Sequence, residues 1–345
     1  MMALFAEGAA VGADDQSCAM WGDLLTQGSV ISDEITELSG VAASPRAAGR
    51  LWVHDDSGGG NTLYAIAAAD GAYEGKIEVV EADNEDWEDL AIGPCPDEDC
   101  GCLYIADAGS SDGSRTNGIL WVVPEPDLAD GLTVAATAIP FSWPDGGHDA
   151  EALLVDPLSG ETLLVTKEPT GPAGIYTFPQ APPHSTGGLT LEKVGEIDLS
   201  TVGASETAVT GGAVSPGGER VALRTDEDLL VFTVGADGLA AALSHVPVHL
   251  DAPKAQNGEA VTFSADGSAL YLINEGSTPI LWSLPCAESA DAHAVDAGLG
   301  ECAPLEAKGC GCSSGGSAGG WGLAFVGLLA IVGGRRLPRG PRPEA

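Results

Sequence analysis

Residues 151–169 read EALLVDPLSGETLLVTKEP, two short apolar runs joined by a turn built on Asp156, Pro157, Ser159 and Gly160. Runs this short, separated by turn residues and ending in polar ones, are expected as two paired strands. The same unit recurs along the chain. Its first strand reappears as SGVAASP from Ser39, EDLAIGP from Glu88, TGGAVSPGG from Thr210 and EAVTFSADG from Glu259. Its second strand reappears as LWVHDDSG, CLYIADAG, VALRTDED and LYLINEGS.

Each pair is followed by a third strand with its own turn: NTLYAIAAADG, GILWVVPEP, GIYTFPQAP, LLVFTVGADG and PILWSLP. A fourth, more variable strand follows in the first four repeats. The fifth reaches Cys286 without one, and DLLTQGSVISDEI, ahead of the first repeat, is placed to supply it by closing a ring. The pattern predicts an all-β fold, a β-propeller of five four-stranded blades. Equivalent starts lie 49, 63, 59 and 49 residues apart. The two longer repeats therefore carry insertions, which leave room for a sixth blade.

The bulk composition agrees. The chain has 345 residues, 44% of them hydrophobic, with 48 glycines and 22 prolines, which favours many turns over long helices. Fourteen Lys and Arg stand against 51 Asp and Glu, for a net charge of −37. Nucleic acid is excluded as a partner because no basic stripe is present to neutralise phosphates. Such acidity suits metal cations or a saline setting. No phosphate-binding P-loop, HExxH or dinucleotide fingerprint occurs.

Eight cysteines fall at Cys18, at Cys95, Cys100 and Cys102, at Cys286 and Cys302, and at Cys310 and Cys312. Their short spacings among Asp, Pro and Gly read as loop staples of a protein exported to an oxidising compartment. The trio lacks the nearby histidine or second CxxC that a four-ligand zinc site requires.

The chain divides into a leader or truncated export signal (1–17), a propeller (18–285), a Cys-containing linker (286–312) and a C-terminal segment (313–345). That last segment is uncharged from Ser313 to Gly334, apolar from Trp321 to Val332, and followed by Arg335 and Arg336. It is expected as a transmembrane or sorting helix that anchors the chain in a membrane with the propeller outside. Cys310-Gly311-Cys312, the span and the paired arginines resemble the C-terminal sorting signal of myxobacterial exported proteins. The resemblance implies processing near the cysteines and a cell-surface location.

Aligning the turns places Ser39, Glu88, Glu151, Thr210 and Glu259 at one equivalent position, the start of each first strand. First strands line a propeller's central channel, so these five oxygen-bearing side chains should converge. Carboxylates facing one another repel unless a cation or a proton intervenes. Oxygen donors of this kind suit Ca2+ better than zinc or copper.

With ELSGVAA leading to VHDDSG, DWEDLAI leading to LYIADAG, and VALRTDED, the chain resembles the calcium-activated nucleotidases, soluble apyrases with five-bladed propellers. Phytase-like propellers also hold calcium in acidic channels beside a phosphate ester. The resemblance implies a calcium at the five positions and a small-molecule phosphate substrate. Asp55 or Asp56 would then orient the nucleophile, and Lys167 and Arg224 would offset developing charge. His54, and His148 with Asp149, are candidate general bases at the channel mouth or plain polar residues at strand ends. Trp52, Trp87 and Trp121 are expected to pack blades. The competing function is a non-catalytic surface module in which calcium locks the blades and the loops bind a surface ligand. In either case the chain is expected to act as a monomer.

Overall fold

The computed structural model describes Cys18 and residues 20–32, 34–58, 60–96, 101–128, 132–184, 187–253 and 257–287. Alternation along these strands sends side chains to two neighbouring sheets, which is why runs such as 152–155 and 163–165 are apolar throughout. Blade 1 holds Leu38–Ala43, Arg50–Asp55, Thr62–Ala67 and Tyr73–Val80, and blade 2 holds Trp87–Pro94, Gly101–Asp107, Asn117–Pro124 and Thr137–Ser142. Blade 3 holds Ala150–Val155, Thr162–Thr166, Ala173–Thr177 and Glu192–Ile197. Blade 4 holds Gly211–Val214, Arg220–Arg224, Asp228–Thr233 and Val248–Asp251.

Blade 5 combines both ends of the described chain. Gly258–Phe263, Ala269–Asn274 and Ile280–Ala287 are joined by Leu25–Ser29, with Leu25 opposite Ser283 and Ser29 opposite Ile280. Met20–Trp21 extends that pairing, and a disulfide between Cys18 and Cys286 locks it. The ring closes as the sequence implied. The bridge spans 268 residues, so it removes about 5–6 kcal/mol of unfolded-chain entropy.

There is no sixth blade among the described residues. Within the first long repeat, Thr133–Ala135 pairs in parallel with Tyr73–Val80 of blade 1. Within the second, Leu189–Thr190 pairs in parallel with Thr137–Ser142 of blade 2. Each insertion thus covers the outer edge of the preceding blade, where an unpaired strand would invite association.

The innermost strands pack in order around the ring, and five apolar cores lie between successive blades. Trp52 and Trp87 are wholly buried between blades 1 and 2 together with Trp121. A second disulfide, Cys95–Cys102, staples the first hairpin of blade 2. The only described helices are the single turns Leu199–Val202 and Leu239–Ala242. None is long and apolar enough to cross a membrane. The leader and the expected anchor, with Cys100, Cys302, Cys310 and Cys312, lie outside the described residues.

The two ends of the channel differ. Where the innermost strands finish, a cavity of about 530 Å³ is lined by apolar side chains including Ile92, Pro157, Val214 and Phe263. Where they begin, the lining is acidic.

Candidate functional site

The equivalent position found in the repeats has a structural cause. In blade 2, Trp87 pairs with Asp107 and Asp89 with Ala106, leaving Glu88 as the extra residue of a β-bulge. Glu151 is the extra residue between Ala150 and Ala152, and Glu259 between Gly258 and Ala260. In blade 1 the ladder skips Ser39 and Gly40. A bulge interrupts alternation and re-aims a side chain, which lets an apolar strand start with an acidic residue. Blade 4 has no such irregularity, and Thr210 sits just ahead of Gly211–Val214.

Three of the five side chains carry the acidity, and two carry contacts between blades. The Ser39 hydroxyl donates to the Glu88 carbonyl of blade 2. The Thr210 hydroxyl donates to the Gly258 carbonyl of blade 5 at 2.6 Å. Glu88 and Glu151 are 7% and 6% exposed and share a cleft of about 730 Å³ with Asp56, Asp86, Asp149 and Lys167.

Within this cleft the carboxylates form two groups that share one member. Ligand oxygens of Asp56, Asp86 and Glu88 lie within 4.8 Å of one another, as do those of Glu88, Asp149 and Glu151. Gly109 makes room for the first group. A β-carbon there would sit 1.9 Å from Glu88 Oε1 and 2.7 Å from Asp86 Oδ2. In the second group Glu151 Oε1 accepts from Lys167 Nζ at 2.7 Å, while Glu151 Oε2 is buried without a hydrogen-bond partner.

Burial and mutual repulsion raise these acids together. Burial, then the charge of Glu151, holds Glu88 well above the usual carboxylate range. Burial raises Glu151 although the paired Lys167 opposes it, and lifts Glu259 to about 7. Asp56 rises to about 6 through burial and its neighbour Asp86. Asp86 and Asp149 rise chiefly through burial. Burial alone would lower Lys167, but Glu151, Glu259 and Glu88 outweigh it and hold the ammonium above its ordinary value.

The remaining expected site residues are dispersed. Asp55 is buried and accepts from the backbone of Thr36 and Glu37, so only Asp56 of the adjacent pair lines the cleft. Arg224 is fully buried. Its Nη1 donates to the Ala260 and Ile273 carbonyls at 2.6 and 2.8 Å, and burial lowers it to about 10. It joins blades 4 and 5 rather than lining the cleft. His54 lies inside the protein, edge-on to Trp87, and burial lowers it to about 4. A β-carbon on Gly40 would meet its Nε2 at 2.3 Å. It is therefore neutral and is no base at the mouth. His148 does line the cleft, with Nε2 3.0 Å from Asp145 and 2.9 Å from the Tyr176 hydroxyl.

Aligning the repeats singles out neither Asp86 nor Asp89, and gives Asp149 only as a companion of His148. Their signal is present in DWE and DAE, where an aspartate stands two residues before Glu88 and before Glu151. Asp89 serves a different end. Wholly buried, it accepts from the backbone of Leu90, Leu153 and Gly212 at 2.8, 2.8 and 3.1 Å. One carboxylate thus binds the innermost strands of blades 2, 3 and 4.

Neither a protein-family model nor a curated protein sequence matches this chain. Among solved structures, hydrazine synthase of Kuenenia stuttgartiensis is similar over 68% of this chain and 61% of that one, at 11% identity and a TM-score of 0.35. This chain's match therefore spans under two thirds of that chain's length.

Proposed function

We propose that this chain is an exported, calcium-dependent phosphohydrolase whose acidic cleft holds Ca2+ and a small phosphate ester. The observation that carries the reading is the buried, partnerless Glu151 Oε2, in a cleft where Glu88 joins two carboxylate groups. The donors are all oxygens, as calcium prefers, and each group leaves ligand positions free for water or phosphate. When bound, calcium would polarise a phosphoryl oxygen or a water molecule.

Glu88, Asp149 and Glu151 would hold the ion, with Asp56 and Asp86 extending the site. Asp56 lines the cleft, where it can orient a water nucleophile, and Lys167 is the cation nearest to developing negative charge. The resemblance to apyrase and phytase-like propellers supports this substrate class. The two disulfides support export, and the C-terminal signal would tether the protein to the cell surface as a monomer.

One observation favours a second reading. With Arg224 buried between blades, Lys167 is the only Lys or Arg among the cleft residues, which is sparse for a polyphosphate. A surface-binding module with a structural calcium needs no more. Purified protein assayed with calcium against nucleoside di- and triphosphates and phytate separates them. Turnover abolished by Glu151→Gln supports the hydrolase. Calcium binding without turnover of any of these substrates leaves the module.

A further inference from the structure

Lys167 is the only Lys or Arg among the described residues that line the acidic cleft. Its backbone is fixed, because its N–H donates to the Asp149 carbonyl at 2.9 Å directly after the Thr162–Thr166 strand. The flexible stem carries the ammonium back to Glu151 Oε1 at 2.7 Å, inside one of the two carboxylate groups. The side chain remains 31% exposed, whereas that of Glu151 is 7% exposed. The lysine therefore keeps a contact with solvent that Glu151 largely lacks.

We propose that Lys167 is a resident counter-ion of the cleft: its ammonium neutralises Glu151 until a divalent cation enters among Glu88, Asp149 and Glu151, and then swings out. This inference rests on the cation reading above and adds what sets the affinity of that site. Two positive charges competing for Glu151 make cation binding an exchange. The net gain is the ion's attraction to the carboxylates less the lost lysine contact. The displaced ammonium, tethered at Asp149, would then face an anionic group carried by the bound ion. Charge rather than bulk governs the exchange, so arginine should preserve it and methionine should abolish it.

The test is calcium titration calorimetry on the full chain, as wild type, Lys167→Met and Lys167→Arg, at one pH and salt concentration. Removing the competitor leaves a buried carboxylate uncompensated in the calcium-free state, so Lys167→Met should bind calcium about tenfold or more tighter. Lys167→Arg should stay close to wild type. If wild type binds calcium and Lys167→Met binds equally or more weakly, the lysine proposal fails and the cation site stands. Tightening by both variants would overturn it too, since charge would not be the cause. If neither wild type nor Lys167→Met binds, the cation reading itself falls.

A measurement on the unmutated side chain guards against misfolding of the variant. After reductive 13C-methylation, the Lys167 methyl resonance, assigned with Lys167→Arg, should move toward that of a solvated lysine when calcium is added. An unmoved resonance at saturating calcium contradicts displacement.

Discussion

Glu88 belongs to both carboxylate groups, so its replacement should be felt more widely than that of any other acid in the cleft. Glu88→Gln keeps the shape and removes the charge, and should weaken calcium binding by about tenfold or more. In chelator, the same change should raise the melting temperature at pH 8, because it removes a buried repulsion. Gly109→Ala tests the space beside it. Its β-carbon would displace the Glu88 carboxylate tip while leaving the strands intact, so calcium affinity should fall with little change in stability.

Protonation gives a related expectation with a definite sign. Burial holds Glu259 near 7 in the folded protein, above the ordinary glutamate value of 4.5. The folded state then holds more protons than the unfolded state between pH 4.5 and about 7. With calcium chelated, stability contributed by this group is full below pH 4.5 and is lost as pH rises through 7. Denaturant melts across that range should show the decline, and saturating calcium should reduce it. A flat profile in chelator would contradict the assignment.

Among the elements, the β-bulge links sequence repetition to chemistry. The shared position of Glu88, Glu151 and Glu259 was visible in the sequence, because each acid stands directly before an apolar run. What displaced those acids from the strand's alternation was not visible, since a bulge depends on the register of the partner strand. Asp56 and Asp86 come together across a blade boundary, which spacing along the chain does not reveal. Arg224 shows the opposite limit. Its place at a second-strand end suggested a cleft cation, but contacts with two blade 5 carbonyls hold it inside. Asp89 belongs to this scale as well. Asp89→Ala would leave the Leu153 and Gly212 N–H groups buried without an acceptor and should cost about 3 kcal/mol, measured by denaturant unfolding.

At the scale of the whole molecule, five blades close through one composite blade, and the sequence showed this through a missing fourth strand. The pairing of Cys18 with Cys286 was not legible, since only the closed ring brings positions 268 residues apart together. Cys286→Ser should lower stability by roughly 4 kcal/mol and lower the melting temperature while preserving calcium binding. The closed ring also gives the channel an acidic end and an apolar end, so the proposed cation site depends on all three of blades 1 to 3 standing in register.

In the proposed function this acidic end holds a divalent cation through Glu88 and Glu151. Calcium titration calorimetry of wild type beside Glu88→Gln and Glu151→Gln tests it most directly. Saturable binding by wild type that is weakened about tenfold or more in each variant is the predicted result. Absence of binding by wild type, or affinity unchanged in both variants, would contradict it.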